Sequence, residues 1–303
     1  MEFIEFLTEL TTYRAVLRIM TPLLLAALGG AFTYHAGILN IALEGQMLFG
    51  AFAAVTASYY FGNAIAGVIG GILAGLLIGL IFGLFVVRFK TDEFIVGIAI
   101  NILAVGATTF AMRALFGVKA SFSDPGIKPL IKIPIPGIPS DSFLGILIGN
   151  HTLLTYISLL LVPLLFILFY YTRFGMHLRA TGEHPEALET AGGNTSLIQW
   201  IASAINGVMC GLAGTYLALG YLSQFVKNMT AGRGFIALAA LLFGAGNPFK
   251  IFIGTFVFGL ADSLSIRFQS LGVPPYFALM VPYIVTIIAL IFVSARQKKR
   301  YTM

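Results

Sequence analysis

Residues 64–87 read AIAGVIGGILAGLLIGLIFGLFVV, an apolar run that no charged or polar side chain interrupts. A helix needs about 20 apolar residues to cross the hydrocarbon core of a bilayer, and this run is long enough. A strand of a transmembrane β-barrel instead alternates apolar and polar residues over about ten positions. Because the run shows no such alternation, it predicts a membrane-spanning α-helix.

The composition of the whole chain extends this prediction. Of its 303 residues, 58% are hydrophobic and 10% are charged, whereas a soluble domain carries about 25% charged residues. So few charges cannot cover a water-facing surface, and most of the chain must therefore face lipid. Further apolar runs that are long enough to span the bilayer lie at 15–35, 38–61, 94–116, 152–171, 198–222, 249–268 and 276–294.

One more apolar run, 234–246, is too short for a full crossing and is typical of a re-entrant or broken helix. Together the runs predict an all-α fold, a polytopic transmembrane bundle of about 8–10 helices. Nothing in the sequence marks a separate soluble domain, so we expect residues 1–303 to form a single transmembrane domain.

Basic residues orient the predicted bundle. The cluster RQKKR (296–300) follows the last apolar run, and Lys and Arg concentrate in cytoplasmic loops. Counting crossings back from that end places the loop 172–197 in the cytoplasm and the long loop 117–151 outside. The net charge of +6 therefore indicates membrane orientation rather than nucleic-acid binding. The single cysteine excludes a disulfide within the chain, and no spacing of side chains indicates a metal site.

A polar island, ATGEHPEALETAGGN (180–194), separates two of the apolar runs. Pro185 suits the first position of a helix and Gly192 suits a left-handed stop, which predicts a helix over 185–191. A helix this short is marginal alone in water, so it needs a partner surface. Alanines four residues apart would let such a surface approach closely. On this pattern alone, an ordinary solvated loop helix remains the alternative.

The island resembles the coupling loop of permease subunits of ATP-binding cassette (ABC) importers, in which a short cytoplasmic helix docks on an ATPase subunit. The segment 172–180 (TRFGMHLRA) resembles the start of that loop. The positions that match the family and would couple to the ATPase are Gly182, Glu183, Pro185, Glu186, Ala187, Ala191 and Gly192.

Two further motifs extend the resemblance over most of the chain. GILNIALEGQM (37–47) resembles the early signature of the branch that imports ribose-type sugars, branched-chain amino acids and nucleosides. MTAGRGFIALAA (229–240), followed by FGAGNP (243–248), resembles its late signature. Residues 228–238 are most similar to nucleoside permeases, and simple-sugar permeases are the alternative.

This resemblance implies a type II-like permease subunit in a bacterial cytoplasmic (inner) membrane. It would pair with a second, dissimilar permease, with cytoplasmic ATPase subunits and with an outer-side substrate-binding protein. No Gly-x-x-x-x-Gly-Lys-Ser/Thr sequence occurs in the chain, so no loop of this type can hold ATP phosphates. We therefore expect a transport subunit that is not an enzyme and binds no cofactor itself, while ATP and Mg are used by the partner ATPases.

Polar residues within apolar runs are costly in a membrane and indicate function. A carboxylate at Glu44 must be paired, protonated or near water. The candidates for lining the substrate path are Asn40, Glu44, Gln46, Asn101 and Asn206. The alternative is that these side chains only lock the helix packing, since buried Asn often joins helices.

Two other classes of protein remain open from the residues alone. An autonomous transporter driven by protons or sodium would use Glu44 and Asp262 as coupling sites. A channel or a purely structural membrane protein would have no ATPase partner.

Overall fold

The computed structural model describes residues 10–133 and 149–270, together with the single positions 274, 277, 280, 281 and 284. The prediction of an all-α bundle is confirmed. The predicted span 276–294 lies almost entirely outside the described residues, as does the middle of the predicted outer loop. The α-helices are α1 (Leu10–His35), α2 (Leu43–Phe61), α3 (Ala64–Gly83), α4 (Glu93–Phe116), α5 (Leu153–Tyr171), α6 (Arg173–Glu183), α7 (Pro185–Thr190), α8 (Thr195–Thr215), α9 (Arg233–Gly244) and α10 (Pro248–Ser270).

Six of the described helices are long and apolar enough to cross a membrane: α1, α3, α4, α5, α8 and α10. A π-helical turn, Leu84–Arg88, extends α3, and a second one, Tyr216–Leu222, extends α8. Two short antiparallel strand pairs lie at one end of the bundle. Ser121–Phe122 (β1) pairs with Phe225–Val226 (β4), and Lys132–Ile133 (β2) pairs with His151–Thr152 (β3).

The apolar run 64–87 forms α3 and its π-helical extension, and α3 packs against α8 through glycines. Gly71, Gly75 and Gly79 recur every fourth residue and therefore share one face of α3. A Cβ added at Gly75 would collide with the carbonyl oxygen of Gly207 on α8. Small residues at such an interface let two helix backbones approach closely, which is how helices associate where lipid is the solvent. The opposite face of α3 carries exposed apolar side chains that suit lipid.

Two breaks in the helices meet inside the bundle. The first is the non-helical segment 36–42 between α1 and α2. The second precedes α9, whose 12 residues rise only about 18 Å at 1.5 Å per residue. Such a helix cannot cross a hydrocarbon core of about 30 Å. Irregular backbone is tolerated at membrane depth only where protein or water satisfies its polar groups, so these breaks position the polar side chains described next.

Candidate functional site

Glu44 joins the two breaks. It lies in the first turn of α2 and is 6% exposed. One carboxylate oxygen, Oε1, accepts the backbone N–H of Gly232 at 2.8 Å, and Oε2 accepts that of Gly234 at 2.6 Å. The first N–H groups of a helix have no partner within the helix, and its amino end carries a partial positive charge. Glu44 therefore supplies both acceptors and countercharge to the start of α9.

Asn40 holds the first break together. Its Oδ1 accepts the N–H of Ala42 at 2.8 Å, and its Nδ2 donates to Oδ1 of Asn206 on α8 at 2.8 Å. The same Nδ2 lies 3.4 Å from Oε1 of Gln46. All three polar side chains are buried, so this group ties the irregular segment 36–42 to both α2 and α8.

Asn101 on α4 supports the same segment from the other side. Its Oδ1 accepts the N–H of Gly45 at 2.7 Å, and its Nδ2 donates to the carbonyl of Ile41 at 3.0 Å. The structure thus brings all five predicted pathway residues to one place. Three of them contact one another, and Glu44 and Asn101 contact backbone groups at the breaks and at the starts of α2 and α9. This arrangement favours the packing interpretation; a role in lining the substrate path stays a prediction.

The polar island forms α6 and α7. Pro185 is the first residue of α7, and Gly192, with a φ of +85°, ends the turn that follows it. Only glycine adopts this backbone conformation without steric cost. The seven residues predicted to couple are exposed, so they lie on a free surface of this chain. Leu188 is the one buried residue of α7 and anchors it to the core. This role was not predicted from the sequence, although Leu188 is the only large apolar side chain in the helix.

The island also contacts the ends of other helices. A Cβ at Gly182 would collide with the carbonyl oxygen of His35, so Gly182 allows α6 to approach the carboxyl end of α1. The His35 Nε2 lies 3.1 Å from the carbonyl oxygen of Gly246, just after α9. The Arg179 guanidinium stacks on Tyr170 at 5.1 Å from the ring centroid. These contacts link α6 to α1 and α5, and His35 in turn links α1 to the end of α9.

Comparison with known proteins identifies the family of the chain. The family described as branched-chain amino acid transport system / permease component matches residues 12–290. The chain belongs to this permease family. As a permease component it is a multi-pass protein of the inner membrane and a transport subunit, not an enzyme.

Three relatives of this permease are similar over most of their length. The guanosine ABC transporter permease protein NupQ of Bacillus subtilis is 35% identical and covers 91% of this chain and 89% of its own. TsgC13 of Haloferax volcanii, which is assigned as a glucose ABC transporter permease protein, is 31% identical and covers 85% of this chain and 78% of its own. The nucleoside ABC transporter permease protein NupC of Lactococcus lactis is 30% identical, covering 89% and 88%.

A solved structure shares the fold of the permease. A transporter assigned to the metal-chelate type of ABC transporters, in an inward-facing conformation, matches with a TM-score of 0.52. The match covers 93% of this chain and 85% of that chain at 14% identity.

The permease also carries an ion pair that the sequence did not indicate. Arg233, the first residue of α9, places Nη2 3.6 Å from Oδ2 of Asp262 on α10. Its Nη1 lies 3.4 Å from the carbonyl oxygen of Met229. A sequence shows which charges lie along one helix but not which charges meet across two helices, so the pair could not be predicted.

Proposed function

We propose that the chain is the permease subunit of an ATP-driven importer that moves a nucleoside across the cytoplasmic membrane. The observation that carries the substrate class is the 35% identity to the guanosine permease NupQ over 91% of this chain. NupC, a nucleoside permease, supports the same class. A simple sugar is the second candidate because TsgC13 is 31% identical, over a smaller share of both chains.

The proposal assigns partners to the surfaces of the chain. ATPase subunits, which use ATP and Mg, dock on α7 and place the loop 172–197 in the cytoplasm. The loop 117–151 then lies outside and faces the substrate-binding protein. A second permease, dissimilar to this one, completes the pathway. What supports the ATPase assignment is that α7 has an ordered start and end, one buried anchor and an otherwise exposed surface.

The contacts of α6 suggest how the motion is transmitted. ATP binding closes the ATPases and moves α7. Since α7 follows directly on α6, the movement reaches Gly182, which touches the backbone of His35 and Gly37. The segment after Gly37 leads to Glu44, whose carboxylate holds the start of α9. The chain of contacts therefore connects the docking surface to the break inside the membrane.

Uptake in a strain that lacks this chain tests the substrate. We expect the loss of labelled guanosine uptake, with labelled ribose and glucose uptake unchanged, and restoration by the wild-type gene. The loss of sugar uptake alone would instead assign the sugar class.

Reconstitution tests the energy source. Proteoliposomes that contain this chain alone should not take up guanosine under any proton or sodium gradient, and should do so when the ATPases, the second permease and ATP are supplied. Gradient-driven uptake by the lone chain would overturn the importer-subunit proposal in favour of an autonomous transporter.

A further inference from the structure

The ion pair of Arg233 and Asp262 lies at membrane depth. Asp262 follows Pro248, the start of α10, by 14 residues, which is about 21 Å of helix. Arg233 starts α9, about 17 Å along the axis from Gly244. The turn between α9 and α10 lies on the same side of the bundle as α6, because Gly246 contacts His35, and His35 in turn contacts Gly182. Within a hydrocarbon core of about 30 Å, both charges therefore lie well inside the bilayer.

The pair is nevertheless partly exposed at the surface of the chain. The side chains of Arg233 and Asp262 are 25% and 22% exposed. A charge that faces acyl chains is costly, so such residues face a water-filled cavity or a neighbouring protein. At 3.6 Å the contact is longer than a hydrogen bond, so the Asp262 carboxylate keeps its capacity to accept hydrogen bonds from a solute.

Other polar side chains lie beside the pair. Arg18 on α1 and Tyr221 in the π-helical turn line one cleft with Arg233. The exposed faces of α3 and α4 at comparable depth differ, since they carry side chains such as Ile69, Leu73 and Ile102. In the part of the chain that the structure describes, the bundle therefore has apolar faces that suit lipid and a face with arginine, tyrosine and aspartate.

We propose that this face is part of the wall of the aqueous pathway, and that Arg233 and Asp262 contact the nucleoside as it passes. This inference rests on the proposed function for the identity of the solute. A guanidinium has five N–H donors, so Arg233 can donate to the O6 and N7 edge of a guanine in addition to its contacts with Asp262 and the Met229 carbonyl. The pair also offers a carboxylate that accepts from base N–H or ribose hydroxyl groups. A neutral nucleoside can use these donors and acceptors, and the opposite charges of Arg233 and Asp262 give the pair no net charge.

Cysteine labelling tests the wall of the pathway. The native Cys210 is buried, so Asp262→Cys introduces the reactive thiol in the assembled importer. Ile253→Cys is the matched control, since Ile253 precedes Asp262 on α10 by nine residues, about 180° around the helix, and is 61% exposed. We expect a charged, water-soluble maleimide to label Asp262→Cys and not Ile253→Cys, and a lipid-soluble maleimide to label Ile253→Cys.

The labelling has outcomes that separate the two proposals. Guanosine should slow the labelling of Asp262→Cys. If ribose or glucose slows the labelling and guanosine does not, the face still lines the pathway, but the proposal that the substrate is a nucleoside is overturned. Labelling that no solute slows would overturn the contact, and absence of water-soluble labelling would overturn the wall, even where guanosine uptake is intact. If Asp262→Cys does not assemble with the ATPases, Tyr221→Cys reports on the cleft that Tyr221 lines with Arg233.

Uptake by charge variants separates solute contact from a purely structural pair. Asp262→Asn should reduce guanosine uptake about tenfold, the effect of losing one hydrogen bond to a charged group, while the ATPases still co-purify. The swapped double variant Arg233→Asp with Asp262→Arg restores a pair without restoring the original contacts. We expect uptake to stay low in the swap; its recovery would show that the pair only holds α9 to α10.

Discussion

The carboxylate of Glu44 lies 2.6 Å from the backbone nitrogen of Gly234, so a side chain in the first turn of α2 satisfies the start of α9. A Cβ at Gly234 would collide with the backbone of Glu44, and glycine is therefore needed for this approach. The two residues are 190 positions apart in sequence. The break before α9 is thus stabilised by the carboxylate of Glu44, which follows the break between α1 and α2.

Glu44→Gln should destabilise the permease, because the amide offers one acceptor and turns an NH2 group toward a backbone N–H. The expected loss is about 1–3 kcal/mol of unfolding free energy, the range for an unsatisfied buried polar group. Thermal unfolding of the purified importer measures it. Asp92→Asn is the matched control, since Asp92 caps α4 in an exposed position and asparagine caps helices as well as aspartate does. Equal unfolding temperatures for the two variants would contradict the assigned role of Glu44.

Gly75→Ala should destabilise the α3–α8 contact, because the added methyl group overlaps the carbonyl oxygen of Gly207. Overpacking of a tight contact costs about 1–3 kcal/mol. Gly106→Ala is the control: Gly106 lies in α4 and has no atom near its missing Cβ. Unfolding temperatures in detergent should fall for Gly75→Ala alone, and an equal fall in both variants would show that the glycine interface is not what the substitution disturbs.

The helices could be predicted from sequence because a helix that spans lipid requires a long apolar run, and such runs are easily distinguished from the polar segments between them. The run 64–87 predicted α3 and its extension almost to the residue. The run 38–61 was predicted as one span, yet α2 begins only at Leu43. The difference arises because Asn40 and Asn101 satisfy the backbone of the break. Asn40 bonds locally but is itself held by Asn206, and Asn101 is 60 positions from Ile41, so distant residues stabilise the break.

The site was only partly predictable for the same reason. Glu44 could be singled out, since a carboxylate in an apolar run is costly. Its partners could not, because backbone N–H groups have no signature in a sequence. The pair of Arg233 and Asp262 also depends on two helices meeting in space. The short helix of the island was easier, since its proline start and glycine end are local signals.

Gly192→Val should weaken the association with ATPase subunits, because valine is strained at a φ of +85° and would change the end of α7. Gly117→Val is the matched control. Gly117 also ends a helix with a positive φ, +68°, and neither glycine has an atom near its missing Cβ. The backbone strain is therefore similar, about 1–2 kcal/mol. Gly117, however, follows the carboxyl end of α4 and lies outside the island that contains α7. Only Gly192→Val should lose ATPase in a gentle-detergent pull-down, with both variants inserted in the membrane. Retention of ATPase by Gly192→Val would count against docking on α7.

Leu188→Ala should release α7 from the bundle, since Leu188 is 7% exposed and is the one buried side chain of that helix. Truncation of a buried leucine costs about 2–5 kcal/mol, and a helix of 6 residues cannot stay folded without its anchor. We expect guanosine uptake to fall at least tenfold and ATP hydrolysis to become uncoupled from transport, while the six long helices remain inserted. Leu188→Met keeps the volume and apolar character of the side chain and should transport normally. The comparison therefore separates loss of the anchor from any change at position 188. Normal coupled uptake by Leu188→Ala would mean that α7 is held by its ATPase partner and not by its own chain.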